Sequence, residues 1–235
     1  QNEQLRANLL RAISHDLRTP LTSISGNATI LMEKSISLKE TERQKIYTAI
    51  YDDSMWLVNL TENLLSITRI ENGTMHLQMK PELVDEMFRE ALSHVDRQSA
   101  QHRISIDLTD DLLMAKMDVH LIVQVVVNIV NNAIKYTPEG SSICLSAKRQ
   151  DNMVCIQISD DGPGITDDAK KHLFDMFYTA DIGKPDSRRG LGLGLSLCKS
   201  IVEAHGGSIG IADNLPKGSV FYFTLPLEEV RLDYE

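Results

Sequence analysis

The chain has 235 residues, 42% of them hydrophobic and 24% charged, and carries a formal net charge of -9. That length and apolar content suit one large or two modest domains with a substantial core, and exclude global disorder. The acidic balance excludes a surface that as a whole grips nucleic acid or anionic lipid, while leaving room for a local basic pocket that holds a phosphate.

The first helical pattern runs from the start to about Glu33. Leu10, Leu17, Leu21, Ile24, Ala28 and Leu31 repeat at three- and four-residue steps, the seam of a helix packed on another helix. At about 100° per residue, His15 falls roughly 160° from the centre of that seam, so its imidazole is expected in solvent, with Thr19 one turn along the same face and Asp16 about a quarter-turn round. Pro20 removes the amide that would bond the Asp16 carbonyl and is expected to kink the helix just after His15. Because the pattern is helical from Gln1 with no capping residue ahead of it, the chain is expected to be a piece of something longer.

A polar break, Lys34-Ser35-Ile36-Ser37, leads into a second helix from about Leu38 to Glu71, in which Ile46, Ile50, Leu57, Leu60, Leu64 and Ile67 keep the same rhythm. Asn72-Gly73 is a C-terminal stop signal. Two helices with a short connection make an antiparallel hairpin. One hairpin cannot bury two apolar stripes well, so residues 1–73 are expected to dimerise with a second copy into a four-helix bundle.

After Gly73 the pattern changes. Met75–Met79 alternates like a strand, Glu82 to about Gln101 reads as helix, and Arg103–Leu108 and Leu113–Met117 read as strands. A long apolar helix covers about Val119–Ile134. Strands follow near Ile143–Arg149 and Met153–Ser159, then a short helix at Asp167–Leu173, a helix at Leu195–His205, and a hairpin of Ser208–Ala212 with Val220–Pro226. Strands and helices mix without strict βαβ alternation, which predicts, for residues 74–235, an α+β sandwich with one mixed sheet covered on one face by helices. Cys144, Cys155 and Cys198 lie in apolar runs without CxxC spacing, the usage of buried thiols in a reducing, cytoplasmic compartment. No apolar run is expected to span a membrane, so any membrane attachment would come through regions absent from this chain.

Four clusters in the second part carry chemistry. In Asn128-Ile129-Val130-Asn131-Asn132-Ala133-Ile134-Lys135-Tyr136, Asn128 and Asn132 share a helix face with Lys135 beside them; amide oxygens suit Mg²⁺ and the lysine suits a phosphate. Asp160-Asp161-Gly162-Pro163-Gly164 ends a strand with a carboxylate able to accept from an exocyclic amine and glycines that let a ligand approach, although Asp-Gly is also an ordinary turn signal. Phe174-Asp175-Met176-Phe177-Tyr178 concentrates aromatics, either as core or as a hinge under a movable loop. Arg188-Arg189-Gly190-Leu191-Gly192-Leu193-Gly194 opens a helix, where free amides and the positive dipole end suit phosphate. The aperiodic polar stretch between Thr179 and Arg189 reads as a lid. His205 is expected as a polar or cationic helix cap, and His76, His94, His102, His120 and His172 as structural.

These motifs, in this order, make the chain resemble the catalytic core of a sensor histidine kinase of two-component signalling. His15-Asp16-Leu17-Arg18-Thr19-Pro20 looks like the phospho-acceptor box, and the four later clusters look like the N, G1, F and G2 boxes of the Bergerat (GHKL) ATP-binding fold. Within that family, Phe174–Ala180, Asp186–Arg189 and the Leu197–Gly207 run resemble Kdp-type potassium-responsive sensors. The resemblance implies that Asn132, helped by Asn128, coordinates Mg²⁺; that Lys135 and Tyr136 sit against ATP; and that Asp160 reads adenine beside Gly162 and Gly164. It also implies that Gly190, Gly192 and Gly194 cradle phosphates, that Phe177 belongs to the nucleotide site, and that Arg188 or Arg189 reaches the γ-phosphate. Thr179 stands where many family members carry Arg, which leaves the lid's catalytic charge to those two arginines.

The expected function is ATP-dependent autophosphorylation of His15, with Asp16 fixing the imidazole tautomer and taking its proton, then phosphotransfer to an aspartate of a response regulator, with Thr19 positioning water for the reverse dephosphorylation. A cytoplasmic fragment of a membrane-attached protein is the implied setting, with no nucleic-acid partner. Two other classes fit the nucleotide motifs alone: an ATP-gated clamp or chaperone-like ATPase, and a non-catalytic nucleotide-binding dimeric scaffold. The exposed His15-Asp16 pair separates the kinase from both.

Overall fold

The computed structural model describes residues 2–34, 38–71, 77–95, 97–110, 112–179 and 192–228; for residues 2–16, 34, 59, 67, 69–71 and 97–98 it describes the backbone only. The chain divides into two compact units, Gln1–Thr68 and Arg69–Glu235.

The first unit is a helical hairpin of α1 (Asn2–Lys34) and α2 (Glu40–Glu71). α1 runs on through Pro20, which is buried. α2 starts with Glu40 and Glu42 in its first turn, and the Glu42 carboxylate accepts from the Lys39 N–H at 3.0 Å, satisfying an amide that the helix itself leaves free. The hairpin hides little of its own apolar surface. Leu60 is only 6% exposed, but Leu21 is 54% and Leu65 56% exposed, and Tyr47, Tyr51, Met55 and Val58 also face solvent. Leu17, Ile24, Ala28 and Leu31 of the expected seam are only half-buried. These stripes need a further surface to cover them.

The second unit is one mixed seven-stranded sheet under a layer of helices. In chain order its elements are β1 (Lys80–Leu83), α3 (Val84–Ser93), β2 (Arg103–Leu108), β3 (Met114–Met117), α4 (Val119–Tyr136), β4 (Ser142–Gln150), β5 (Met153–Asp160), α5 (Asp167–His172), α6 (Gly194–Ala204), β6 (Ile209–Asp213) and β7 (Ser219–Glu228). The strand order is β1-β3-β7-β5-β4-β2, with β6 beside β7. β2 and β4 are parallel and the other pairs antiparallel. β7 is the spine: it pairs with β5 along nearly its whole length, with β6 at its start and with β3 at its end.

Two expectations fail between residues 75 and 101. The strand lies at Lys80–Leu83 instead of Met75–Met79, of which 77–79 form no element and 75–76 lie outside the described residues. The helix starts at Val84 and stops at Ser93, followed by a 3₁₀ turn over Arg97–Gln101. Pro81 is tolerated because β1 is a sheet edge, paired on one side with Met114–Met117. α3 then buries Val84, Met87, Phe88 and Ala91, a single i, i+3, i+4, i+7 face.

α4 packs between α3 and α6 and supplies the centre of the core, burying Ile122, Val125, Val126, Ile129 and Val130 among others. By length and composition α4 is apolar enough to cross a membrane, contrary to the expectation that no such run exists. Its apolarity is explained by its place, wedged between two helices and the sheet. Facing it, Ile143 and Leu145 of β4, Ile156 and Ile158 of β5 and Phe223 of β7 are fully buried.

Candidate functional site

The site grows from the ends of three core elements. Along β5, Val154, Ile156 and Ile158 point into the core by strand alternation, and the next inward position is Asp160. The same pleat that builds the core therefore carries a carboxylate to its rim, where Asp160 is 6% exposed. Its carboxylate accepts from the Gly162 N–H at 2.9 Å and from the Ser219 N–H. Burial dominates over those two bonds, and with Asp161 adjacent it holds the Asp160 carboxyl above its ordinary range. Asp161, on the opposite face, is exposed and shifted the other way, chiefly because the Ser142 N–H donates to it at 2.9 Å. Of two neighbouring acids, one anchors a loop and the other is left largely dehydrated, ready to accept from a polar N–H of a ligand.

The end of α4 reaches the same loop. A Cβ on Gly162 would stand 2.5 Å from Thr137 Cγ2, so the loop lies directly on that methyl group. Thr137 is itself fixed: its hydroxyl donates to the Ala133 carbonyl at 2.7 Å and is left to accept from His102 Nε2–H at 3.0 Å. Neither Thr137 nor His102 stood out in the sequence as part of this site. Thr137 follows the Asn-rich cluster directly, but His102 carries no sequence signal that ties it there.

The glycine-rich segment meets the other two clusters. Gly194 opens α6, and a Cβ there would stand 3.7 Å from Asn128 Oδ1. Gly192 has φ of 66°, and a Cβ on it would come 2.5 Å from the Tyr178 carbonyl, so that close approach to the aromatic segment requires glycine. The Phe177 N–H donates to the Gly192 carbonyl at 3.2 Å, and Phe177 itself adopts φ of 67°, strained for a non-glycine residue. Four segments far apart in sequence thus meet in pairs: Asn128 on Gly194, Gly192 on Phe177 and Tyr178, and Gly162 on both Thr137 and the Asp160 carboxylate.

The electrostatics at the start of α6 favour an anion. α6 has no acidic residue in its first turn, and its N-cap, Leu193, offers no side-chain acceptor. Its first amides and positive dipole end are available to a phosphate. Asn128 Nδ2 is buried without a hydrogen-bond partner, one of two such side-chain atoms among the described residues. The neighbouring Cys198 sulfur is at most a weak acceptor for it: burial pushes that thiol up to about 12 against a smaller lowering by the Asn128 side chain, and its S–H is directed at the Val125 carbonyl. An orphaned buried amide beside an uncapped helix start fits a phosphate oxygen or the water shell of a hydrated cation. Asn132 is half-buried one turn along α4; Lys135 and Tyr136 are exposed at its end, with Lys135 Nζ 5.4 Å from the Tyr136 ring centre. Gly164 lies against the Gly218 carbonyl.

Thr19 is exposed on α1. His15 and Asp16 lie on α1, but their side chains are outside the described residues, as are Arg188, Arg189 and Gly190. Among the remaining histidines, His205 caps the C-terminus of α6 as expected, in the polar rather than the cationic form. It is 2% exposed, its Nδ1–H donates to the Ile201 carbonyl at 2.7 Å, and its Nε2 accepts from the Asp118 N–H at 3.0 Å. It is a neutral clamp between the end of α6 and the start of α4, with its pKa lowered chiefly by burial.

A helical hairpin followed by a sandwich whose α6 starts uncapped beside a buried amide fits a module that binds an anionic ligand. Residues 117–229 match the family of histidine kinase-, DNA gyrase B- and HSP90-like ATPases, and residues 5–73 match the His Kinase A (phospho-acceptor) domain. The chain is 41% identical over 228 residues to the sensor protein KdpD of Clostridium acetobutylicum, which covers 97% of this chain and 25% of that protein. The solved structures it is similar to include full-length ShkA in complex with AMPPNP (TM-score 0.68, 25% identity, 95% of this chain and 46% of that one). Another is the histidine kinase ThkA in complex with the response regulator protein TrrA (TM-score 0.67, 25% identity, 97% of this chain and 64% of that one). The chain belongs to the sensor histidine kinases and comprises their catalytic core, the hairpin being the phospho-acceptor domain and the sandwich the ATP-binding domain. It spans about a quarter of the length of KdpD.

Proposed function

We propose that this chain, as a homodimer through residues 1–73, transfers the γ-phosphoryl group of ATP bound by residues 74–235 to His15, and then passes it to an aspartate of a response-regulator receiver domain. The observation that carries the reading is the meeting of Asn128, Phe177, Gly192 and Gly194 around an uncapped helix start with a partnerless buried amide, and of Asp160 and Gly162 with the end of the same helix α4. Dimerisation is supported by the apolar surface that one hairpin leaves exposed.

In this reading Asp160 accepts from the exocyclic amine of adenine, Gly162 and Gly164 let the base approach, and Lys135 and Tyr136 flank the nucleotide. Gly190, Gly192 and Gly194 hold phosphate oxygens with main-chain amides. Asn132, with Asn128, holds Mg²⁺, which offsets phosphate charge when bound. Arg188 or Arg189 brings lid charge to the γ-phosphate. The His15 imidazole must be neutral to attack, with a lone pair on the attacking nitrogen. Asp16 accepts from the other ring N–H, fixing the tautomer and receiving the proton as the N–P bond forms. Thr19, exposed one turn on, positions water for dephosphorylation of the regulator. KdpD is named a sensor protein and ThkA was solved with a response regulator protein, which supports a regulator as the acceptor; a membrane-attached parent protein is part of the same proposal.

The test is incubation with γ-labelled ATP. Label on the wild-type chain and none on His15→Gln, with ATP affinity unchanged, is the expected result; label retained by His15→Gln contradicts it.

A further inference from the structure

We propose that Asn214, in the turn between β6 and β7, is a positioning residue that sets base discrimination at Asp160, an inference that rests on Asp160 as the adenine-reading carboxylate. Asn214 lies outside all four nucleotide motifs. Its side chain nevertheless reaches 54 residues back, where Nδ2 donates to the main-chain carbonyl of Asp160 at 2.8 Å. Its own N–H donates to the Gly218 carbonyl at 3.1 Å, which closes the turn and fixes the base of the side chain.

The rest of the turn grips the same residue. Gly218 has φ of 125°, and a Cβ there would overlap the Asp160 carbonyl, so the backbone can pass beneath Asp160 only as glycine. The Ser219 N–H donates to the Asp160 carboxylate. The turn is tied in place from outside as well. Lys170 of α5 binds both oxygens of Asp213, at 2.7 and 2.8 Å, and Asp167 at 2.9 Å, with its side chain only 16% exposed.

Asp160 is the last residue of β5, and the ladder ends with it. Past that point the turn takes over from the sheet. Asn214 holds the peptide plane leaving Asp160 from its carbonyl side, while the Asp161 N–H holds it from the other by donating to the Ser142 carbonyl at 3.3 Å; that plane leads to Gly162, whose N–H orients the carboxylate. Removing the Nδ2 donor leaves a half-shielded carbonyl without its partner and weakens the hold on that plane, on which the placing of the Gly162 N–H depends. The carboxylate then moves relative to the base. The phosphate end, at the start of α6, is built from different elements and is left as it was. Asn214 therefore acts on which purine is accepted, and not on phosphate binding.

The test compares dissociation constants for ATP and for inosine triphosphate, whose 6-oxo group offers the carboxylate no N–H. Four chains are measured: wild type, Asp160→Asn, Asn214→Ala and the isosteric Asn214→Asp, which keeps the size of the residue and loses the donor. Both Asn214 variants should lose about tenfold of the ATP-over-ITP preference, almost all of it from weaker ATP binding, with ITP affinity within about twofold of wild type. Should ATP and ITP weaken together, Asn214 merely supports the fold and the proposal is overturned. If Asp160→Asn abolishes the preference while both Asn214 variants keep it, the proposal falls and the reading of Asp160 stands. A preference untouched in Asp160→Asn overturns that reading itself. If Asn214→Ala loses cooperative urea unfolding, the isosteric variant alone decides by the same ratio.

Discussion

Asp160→Asn separates the two demands placed on one side chain. In the fold, Asp160 is 6% exposed and its pKa is raised, mainly by burial. A group whose folded pKa lies above its unfolded value contributes stability below the unfolded pKa, near 3.8, and loses that contribution as pH rises through the folded value. At neutral pH the ionised carboxylate thus strains the fold it sits in. Asn has no such term, so the stability of the variant relative to wild type should become more favourable as pH rises from 4 to 7. Binding moves the other way. Asn keeps an acceptor for the Gly162 N–H but turns the second oxygen into an NH₂ that opposes the adenine amine. The loss combines one charge-assisted hydrogen bond, about 1.5–3 kcal/mol, with an amine left unpaired in a dehydrated site; a total of about 3 kcal/mol is a loss of roughly 150-fold in ATP affinity. Urea unfolding across the pH range and calorimetric ATP titration read the two effects. ATP affinity within about threefold of wild type, or a relative stability that falls as pH rises, refutes the reasoning.

Other perturbations test the supporting structure. His205 has a folded pKa below its ordinary value, so the stability of the wild-type chain should be full above about pH 6.5 and decline as pH falls through the lowered folded value; His205→Gln should flatten that decline in urea midpoints measured between pH 7.5 and 5. Gly192→Ala combines positive φ with a Cβ 2.5 Å from the Tyr178 carbonyl, and should weaken ATP binding by about 5- to 150-fold, on the basis of about 1–3 kcal/mol of local strain, while circular dichroism shows the sandwich intact. Leu21→Glu introduces a charge on a residue 54% exposed in one chain, and light scattering should show the wild-type dimer fall to monomer; an unchanged dimer places the interface elsewhere.

Much of this site is legible in the sequence because periodicity and motif coincide there. Val154, Ile156, Ile158 and Asp160 form one inward row, so the pleat that identifies β5 as a core strand also delivers the carboxylate. The i, i+4 spacing of Asn128 and Asn132 marks a polar face on an otherwise apolar α4, and that apolarity is a property of a central helix. What periodicity does not carry is pairing between distant segments. β1 is a four-residue edge strand that contains Pro81 and exists because Met114–Met117 offers it a partner. His102 reaches the site through Thr137, and Asn214 through the Asp160 carbonyl, contacts that depend on how β2 and the β6–β7 turn are brought beside the nucleotide loop. The hairpin's seam was readable as apolar, but its half-buried state in a single chain appears only when the surrounding surface is known.

The central claim is that the nucleotide rim and the α1 imidazole serve one reaction. Peptide mapping of the chain after exposure to Mg-ATP tests it most directly. The account predicts a single acid-labile, base-stable phosphate on the peptide containing His15. Inorganic phosphate released with no phosphopeptide, or an acid-stable phosphate on serine or threonine, contradicts it.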